Sequence, residues 1–204
     1  MAIIKSGAST DVMTVDAVSK AARVTLYDSL GVPIGFRKTT YRAAISALLA
    51  GASTSPFLTI EGSATKTVIL QRVVLSGAAL TAVQYLNYEA KKYSTAASGG
   101  TSTTLTNVSN DSTALASSIL IKAYTASPTA GTLVGLIASK RTLAQASLAT
   151  AAGLLDSVEF DFRSNGSENT GIYLRGIAQG VSIGFQAAPA SGVTLSGFIE
   201  WTEE

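Results

Sequence analysis

The feature that most constrains this chain is a period of two. Across residues 56–202, short runs of alternating apolar and polar residues recur between clusters of Gly, Ser, Thr and Asn. Successive side chains of a strand point to opposite faces, so such runs build half-buried strands, and the intervening small polar residues build turns. Many short strands punctuated in this way define an all-β domain.

Residues 66–76 (KTVILQRVVLS) are rich in β-branched side chains, with Val68, Leu70, Val73 and Leu75 as inward positions. These four keep a period of two only if the phase changes near Gln71 and Arg72, which predicts a bulge or a switch of sheet there. Residues 82–93 place Val83, Tyr85 and Asn87 on one face and Gln84, Leu86 and Tyr88 on the other. Residues 56–61, 117–125, 132–139, 157–163, 171–178, 181–185 and 193–202 read the same way, and 40–47 is a further candidate. In the last run Val193, Leu195, Phe198 or Ile199, and Trp201 carry the apolar mass, while Glu200, Glu203 and Glu204 are expected in solvent. About eight strands in two packed sheets is the natural sum, a two-sheet antiparallel β-sandwich of jelly-roll-like kind. Two places admit a helix instead. Residues 42–50 (RAAISALLA) before Gly51 suit a short helix with a glycine stop, and 142–155 suit a helical turn.

The leading segment is different. Residues 28–31 (DSLG) form a good type I turn, with Asp first and Gly fourth, and 32–35 (VPIG) return as the second arm of a hairpin. Such a segment holds too few apolar residues for a core of its own. The expected division is an extended N-terminal arm and hairpin over 1–36, followed by a sandwich over 37–204. The arm must lie against a neighbour or against the body. Its apolar residues Ile3, Ile4, Val12, Met13, Val15, Val24 and Leu26 are the expected contact residues for an oligomer or a capsid.

Composition removes most chemistry. The 204 residues include no His and no Cys. The usual general base near neutral pH, the commonest metal ligand and the thiol nucleophile are therefore all missing, and with them the His-dependent triads and ordinary zinc sites. Carboxylate chemistry and oxygen-ligated cations are what remain. The densest carboxylate group is Asp156, Glu159 and Asp161. On a strand Glu159 and Asp161 share one face, with Val158, Phe160 and Phe162 on the other, which is what any half-buried strand beside Arg163 shows. Residues 107–112 (NVSNDS) lack the spacing and closing Glu of a calcium loop and read as turn. Residues 97–104 (ASGGTSTT) read as a loop. The expectation is no catalytic residue, no cofactor and no metal.

Charge is sparse and nearly balanced, 15 Lys and Arg against 13 Asp and Glu, or 14% of residues where about 25% is usual. The basic residues fall into small clusters, Arg37-Lys38 with Tyr41-Arg42, Lys91-Lys92-Tyr93, and Lys140-Arg141. Nucleic acid asks for a continuous basic groove with stacking rings, so none is expected as a partner. No run reaches the ~20 apolar residues of a membrane helix, and the N-terminus lacks the basic start and apolar core of a signal peptide. A mean hydropathy of +0.33 with so little charge implies surface hidden in protein contacts, hence an oligomer.

Several phrases resemble structural proteins of tailed bacteriophages. They are residues 5–11 (KSGASTD), 14–16 (TVD), 19–27 (SKAARVTLY), 60–68 (IEGSATKTV), 93–96 (YSTA), 99–102 (GGTS), 123–126 (AYTA) and the closing 200–204 (EWTEE). The resemblance implies a non-enzymatic virion component, often a jelly-roll module, and brings no catalytic residues. On it rests the expected function: a capsid decoration or cement protein, a homo-oligomer and most simply a homotrimer, that binds the major capsid protein or another virion protein and braces the joints between capsomers. Its place would be the capsid surface, after assembly in the bacterial host cytoplasm. The alternative is a tail, baseplate or fibre component that binds a receptor or another tail protein. A carbohydrate-active or carbohydrate-binding sandwich is a third reading, but it wants exposed aromatic platforms, and the one Trp lies in the terminal strand.

Overall fold

The computed structural model describes residues 14–15, 22–23, 38–51, 53–79, 81–145, 157–163 and 170–204. The chain divides into two compact units, 1–37 and 38–204. In the first unit β1 (Thr14–Val15) pairs antiparallel with β2 (Ala22–Arg23). The turn at 28–31 and the return arm at 32–35 lie outside the described residues.

The second unit is an all-β sandwich of two antiparallel sheets, and among the described residues there is no helix. Its strands are β3 (Thr40–Ala50), β4 (Leu58–Glu61), β5 (Thr67–Ala79), β6 (Gln84–Tyr93), β7 (Thr101–Thr104), β8 (Asn107–Ser109), β9 (Leu120–Ala126), β10 (Leu133–Ala144), β11 (Ser157–Asp161), β12 (Ile172–Arg175), β13 (Gly180–Phe185) and β14 (Val193–Glu203). The first sheet runs β10-β6-β13-β4-β9-β7. The second runs β11-β5-β14-β3-β8, with β12 beside β5 in line with β11. The block β3-β14-β5-β11/β12 faces β4-β13-β6-β10, an order compatible with a jelly roll. The segment β7 to β9 widens the far side of both sheets.

Between the sheets lies one apolar core. Val68, Leu70, Val73 and Leu75 of β5 are all fully buried in it, with Leu86 and Tyr88 of β6, Ile199 and Trp201 of β14 and Phe160 of β11. The phase change expected in β5 is a bulge: Arg72 pairs with Glu200 and Leu70 with Trp201, so Gln71 is the extra residue. The gap between β11 and β12 falls at the same place, where the Phe162 amide donates to the Gln71 carbonyl.

The helical option at 42–50 is not taken; the segment is β3. Tyr41, Ala43 and Ile45 point inward, and then the phase slips so that Leu48 and Ala50 follow. Against β14, Ile45 pairs with Gly197 and Leu48 with Leu195, leaving Ser46 and Ala47 opposite Ser196 alone. Ala47 takes a φ of 48°, and its amide donates to the Ser196 hydroxyl at 3.2 Å. The slip explains the helix-like spacing, because a bulge turns a spacing of two into three. An L-residue in the left-handed region costs about 1–2 kcal/mol, which glycine avoids at roughly 0.5–1 kcal/mol of unfolded-chain entropy. Ala47→Gly should therefore stabilise the fold by about 0.5 kcal/mol or slightly more. The urea midpoint, followed by the emission of the single Trp, checks it, and a lower midpoint contradicts the assignment of strain.

Four further expectations need correction. Residues 101–104, read as loop, form β7, and 107–109, read as turn, form β8. Both are polar edge strands that earn their geometry by pairing with β9 and β3, not from any hydrophobic period. Glu200 and Glu203 are buried rather than solvated, because cationic and polar partners from distant strands surround them; only Glu204 is exposed, paired with Lys38. In place of about eight strands, the described residues of the sandwich form twelve.

Candidate functional site

The seven arm residues Ile3, Ile4, Val12, Met13, Val15, Val24 and Leu26 lie outside the described residues, except that the Val15 backbone pairs with Ala22. The structure brings other groups together at four places on the sandwich.

The first is the buried carboxylate Glu203, on the inward face of β14 at the end of the core. Its oxygens accept hydrogen bonds from Lys66 Nζ (2.9 Å), the Ser118 amide (3.1 Å), Trp201 Nε1 (3.2 Å), Ser118 Oγ (3.3 Å) and Ser117 Oγ. Burial pushes this carboxyl upward, but the hydrogen bonds from Ser117, Lys66, Ser118 and Trp201 outweigh it, and the net direction is below the ordinary glutamate value. The hydrogen bond to Glu203 in turn holds Lys66 above its ordinary value, against the opposing pull of burial. A carboxylate with its acceptor sites already filled is poorly placed to take a proton from a substrate. It ties β14 to the start of β5 and to the segment before β9.

The second is a transverse ion ladder on the outer face of the second sheet. Arg42 of β3 donates to Glu200 of β14 at 2.7 Å; Arg72 of β5 lies 3.9 Å from Glu200 and 3.2 Å from Glu159 of β11. Both guanidinium groups sit over the Phe198 ring, at 5.2 and 4.9 Å. Beside it Arg163 pairs with Asp161 at 2.6 Å and, through that hydrogen bond, holds its carboxyl at about 2, against the opposing pull of burial. The carboxylates Glu159 and Asp161 thus share the outer face, as their spacing predicts, and each is engaged by an arginine. Asp156 lies outside the described residues. Among the described residues no group of three acidic side chains is placed to hold a metal ion.

A third place is an open cleft of about 570 Å³ between β10 and β11, where the rims of the two sheets face each other. Lys140 and Arg141 line one wall and Glu159, Phe160, Asp161 and Phe162 the other. Its acids Glu159 and Asp161 are already engaged by Arg72 and Arg163.

The fourth place is β10 itself, the outermost strand of the first sheet. Leu133, Val134, Leu136 and Ile137 are 55, 62, 55 and 37% exposed. Two register shifts against β6, at Val134 and Ile137, turn these side chains out of a simple alternation. Four large apolar side chains within five residues present a patch of a few hundred Å², the scale at which a surface patch on a soluble protein is commonly functional. The sequence marks 132–139 as a strand but not as an edge; only the strand order makes it one.

Of the basic clusters, Arg37 lies outside the described residues. Arg42 is on the outer face of the second sheet, Lys91 pairs with Glu89 on the first, and Lys92 reaches the Tyr173 carbonyl at 3.1 Å. Trp201 is fully buried, stacked on Tyr41 at 5.9 Å.

The fold and its surfaces define an all-β sandwich with an exposed apolar edge. No protein-family model, curated protein or solved structure matches the chain.

Proposed function

We propose that the chain is a non-enzymatic structural protein of a virion, a decoration or cement protein that self-associates, in its simplest form as a trimer, and braces capsomer joints on the capsid surface. The observation that carries this reading is the division of labour on the sandwich. Its buried acids are spent in internal ion pairs, whereas a row of large apolar side chains stands exposed on β10. Groups committed to ion pairs stabilise; an uncovered apolar edge associates. The resemblance of several phrases to phage structural proteins supplies the setting, in which the partner is the major capsid protein or another virion protein. A burial that hides the single Trp weighs against a sugar-binding platform, and dispersed basic groups weigh against nucleic acid.

The test uses capsids assembled without this chain. Purified protein should co-sediment with them to saturation, at a fixed ratio to capsid subunits, and imaging of intact particles should find copies spread over the shell. Copies confined to one vertex establish the tail or baseplate alternative, and absence of binding sinks the decoration reading. Deleting residues 1–20 should leave the sandwich folded, with an unchanged urea midpoint, while capsid binding or assembly is lost. Global unfolding of the truncated chain would mean that the arm covers its own sandwich.

A further inference from the structure

The two lateral sides of the sandwich carry different exposed patches. On one side is β10, with Leu133, Val134, Leu136 and Ile137, continued by the cations Lys140 and Arg141. Opposite, at the far edge of the second sheet, β8 exposes Val108 (58%), and the turn after it exposes Leu115 (78%) and Asp111. Strand order places these at opposite ends, since β10 lies against β11 whereas β8 lies beyond β3 and β14. Asp111 is oriented by the Thr113 amide and hydroxyl, at 2.9 and 2.7 Å. Among the described residues Lys140, Arg141 and Asp111 take part in no salt bridge, although most other charged side chains on the sandwich do.

From these placements we infer that the β10 side of one copy packs against the β8 side of the next, a head-to-tail contact that closes into a ring. The inference rests on the reading of the chain as a self-associating structural protein, and it names the surfaces. Three observations select a second copy as the occupant. Each patch supplies an apolar centre for a standard contact of about 800 Å² per partner, and each stands exposed among the described residues. The charges flanking them are opposite in sign, with Lys140 and Arg141 (its guanidinium over the Tyr85 ring) on one side and Asp111 on the other. None of them is in a salt bridge among the described residues, so the two sides attract and each repels its like. A two-fold pairing of β10 with itself would also have to run its ladder through irregularities at Val134 and Ile137, which leave backbone groups unpaired. Unlike surfaces in contact generate rings or filaments rather than two-fold dimers.

The test is made in solution without capsids. By sedimentation equilibrium the full chain should have a mass that is a fixed multiple of 20.8 kDa, three or more. Two double variants each place charge in one patch: Val134→Lys with Leu136→Lys, and Val108→Lys with Leu115→Lys. Each alone should be a monomer with an unchanged circular dichroism spectrum, because a lysine buried without a partner is too costly to keep the contact. Mixed one to one, they retain one intact pair of surfaces and should form a two-chain species of twice the monomer mass. Should a double variant misfold, Leu136→Lys and Leu115→Lys singly carry the same test. A monomeric wild type at every concentration, or a β8-side variant that stays assembled while the β10-side variant does not, overturns the head-to-tail contact. A ring that ignores capsids would sink the decoration reading and leave this contact standing; a monomer that binds capsids would do the reverse.

Discussion

Gly197→Ala is expected to destabilise the sandwich by about 3–5 kcal/mol, from left-handed backbone strain and forced overpacking together. Gly197 sits in the middle of β14, paired with Leu75 on one side and Ile45 on the other, at a φ of 158°. A Cβ built there would stand 1.9 Å from the Val74 carbonyl oxygen and 2.9 Å from its carbon. Both obstacles are backbone of a neighbouring central strand. Relief requires β5 and β14 to part, and their ladder hydrogen bonds would open with them. The same site sits at the register shift that accommodates the Ala47 bulge, so the strand has no slack on its other side. In a domain of this size the loss corresponds to roughly 6–20 °C in Tm. Calorimetry together with urea denaturation would measure it. A cost below about 1 kcal/mol would mean that the strand takes up the methyl group by a shift the structure does not suggest.

Glu203→Gln should be nearly as severe, at about 2–4 kcal/mol, because the substitution turns one acceptor oxygen into a donor among groups that are themselves donors. The Lys66 ammonium and the Ser118 amide use different oxygens, so one or the other would lose its acceptor and face an N–H group instead. Acid gives a second readout. Because the folded carboxyl lies below its unfolded value, its contribution is fully present above about pH 4.5 and is lost as pH falls through the lowered folded value. Wild-type stability should therefore decline on acidification below that point, and the variant should lose this group's share of the decline. Asp161, held at about 2 by Arg163, adds its own share to the acid decline, and that share is the same in wild type and variant. Urea midpoints followed by Trp201 emission, at neutral pH and across the acid range, test both. A variant as stable as wild type at neutral pH with an identical acid slope would remove Glu203 from any structural role.

These two residues illustrate different kinds of legibility. The inward positions of β5 could be read directly, since Val68, Leu70, Val73 and Leu75 satisfy a period of two only across a bulge, and the bulge is at Gln71. The carboxylate pair on β11 was equally plain, because alternation alone places Glu159 and Asp161 opposite Phe160 and Phe162. Glu203 could not be read. Polarity assigns a terminal glutamate to water, whereas the groups that bury it come from positions 85 and 137 residues away in the chain. Strands β7 and β8 escaped for a related reason: Thr, Ser and Asn exposed on an edge have no hydrophobic rhythm to betray them.

By itself, then, the amino-acid order determined the all-β class, most of the strands, their buried faces and the loss of histidine- and thiol-dependent chemistry. Each of these depends on residue type and on spacing along the chain, and both are local. Tertiary structure alone decided which strands became edges, which acids were drawn into ion pairs, and that β10 and β8 close opposite sides of the sandwich. Those outcomes depend on hydrogen bonds and packing between segments far apart in sequence, which no local period encodes.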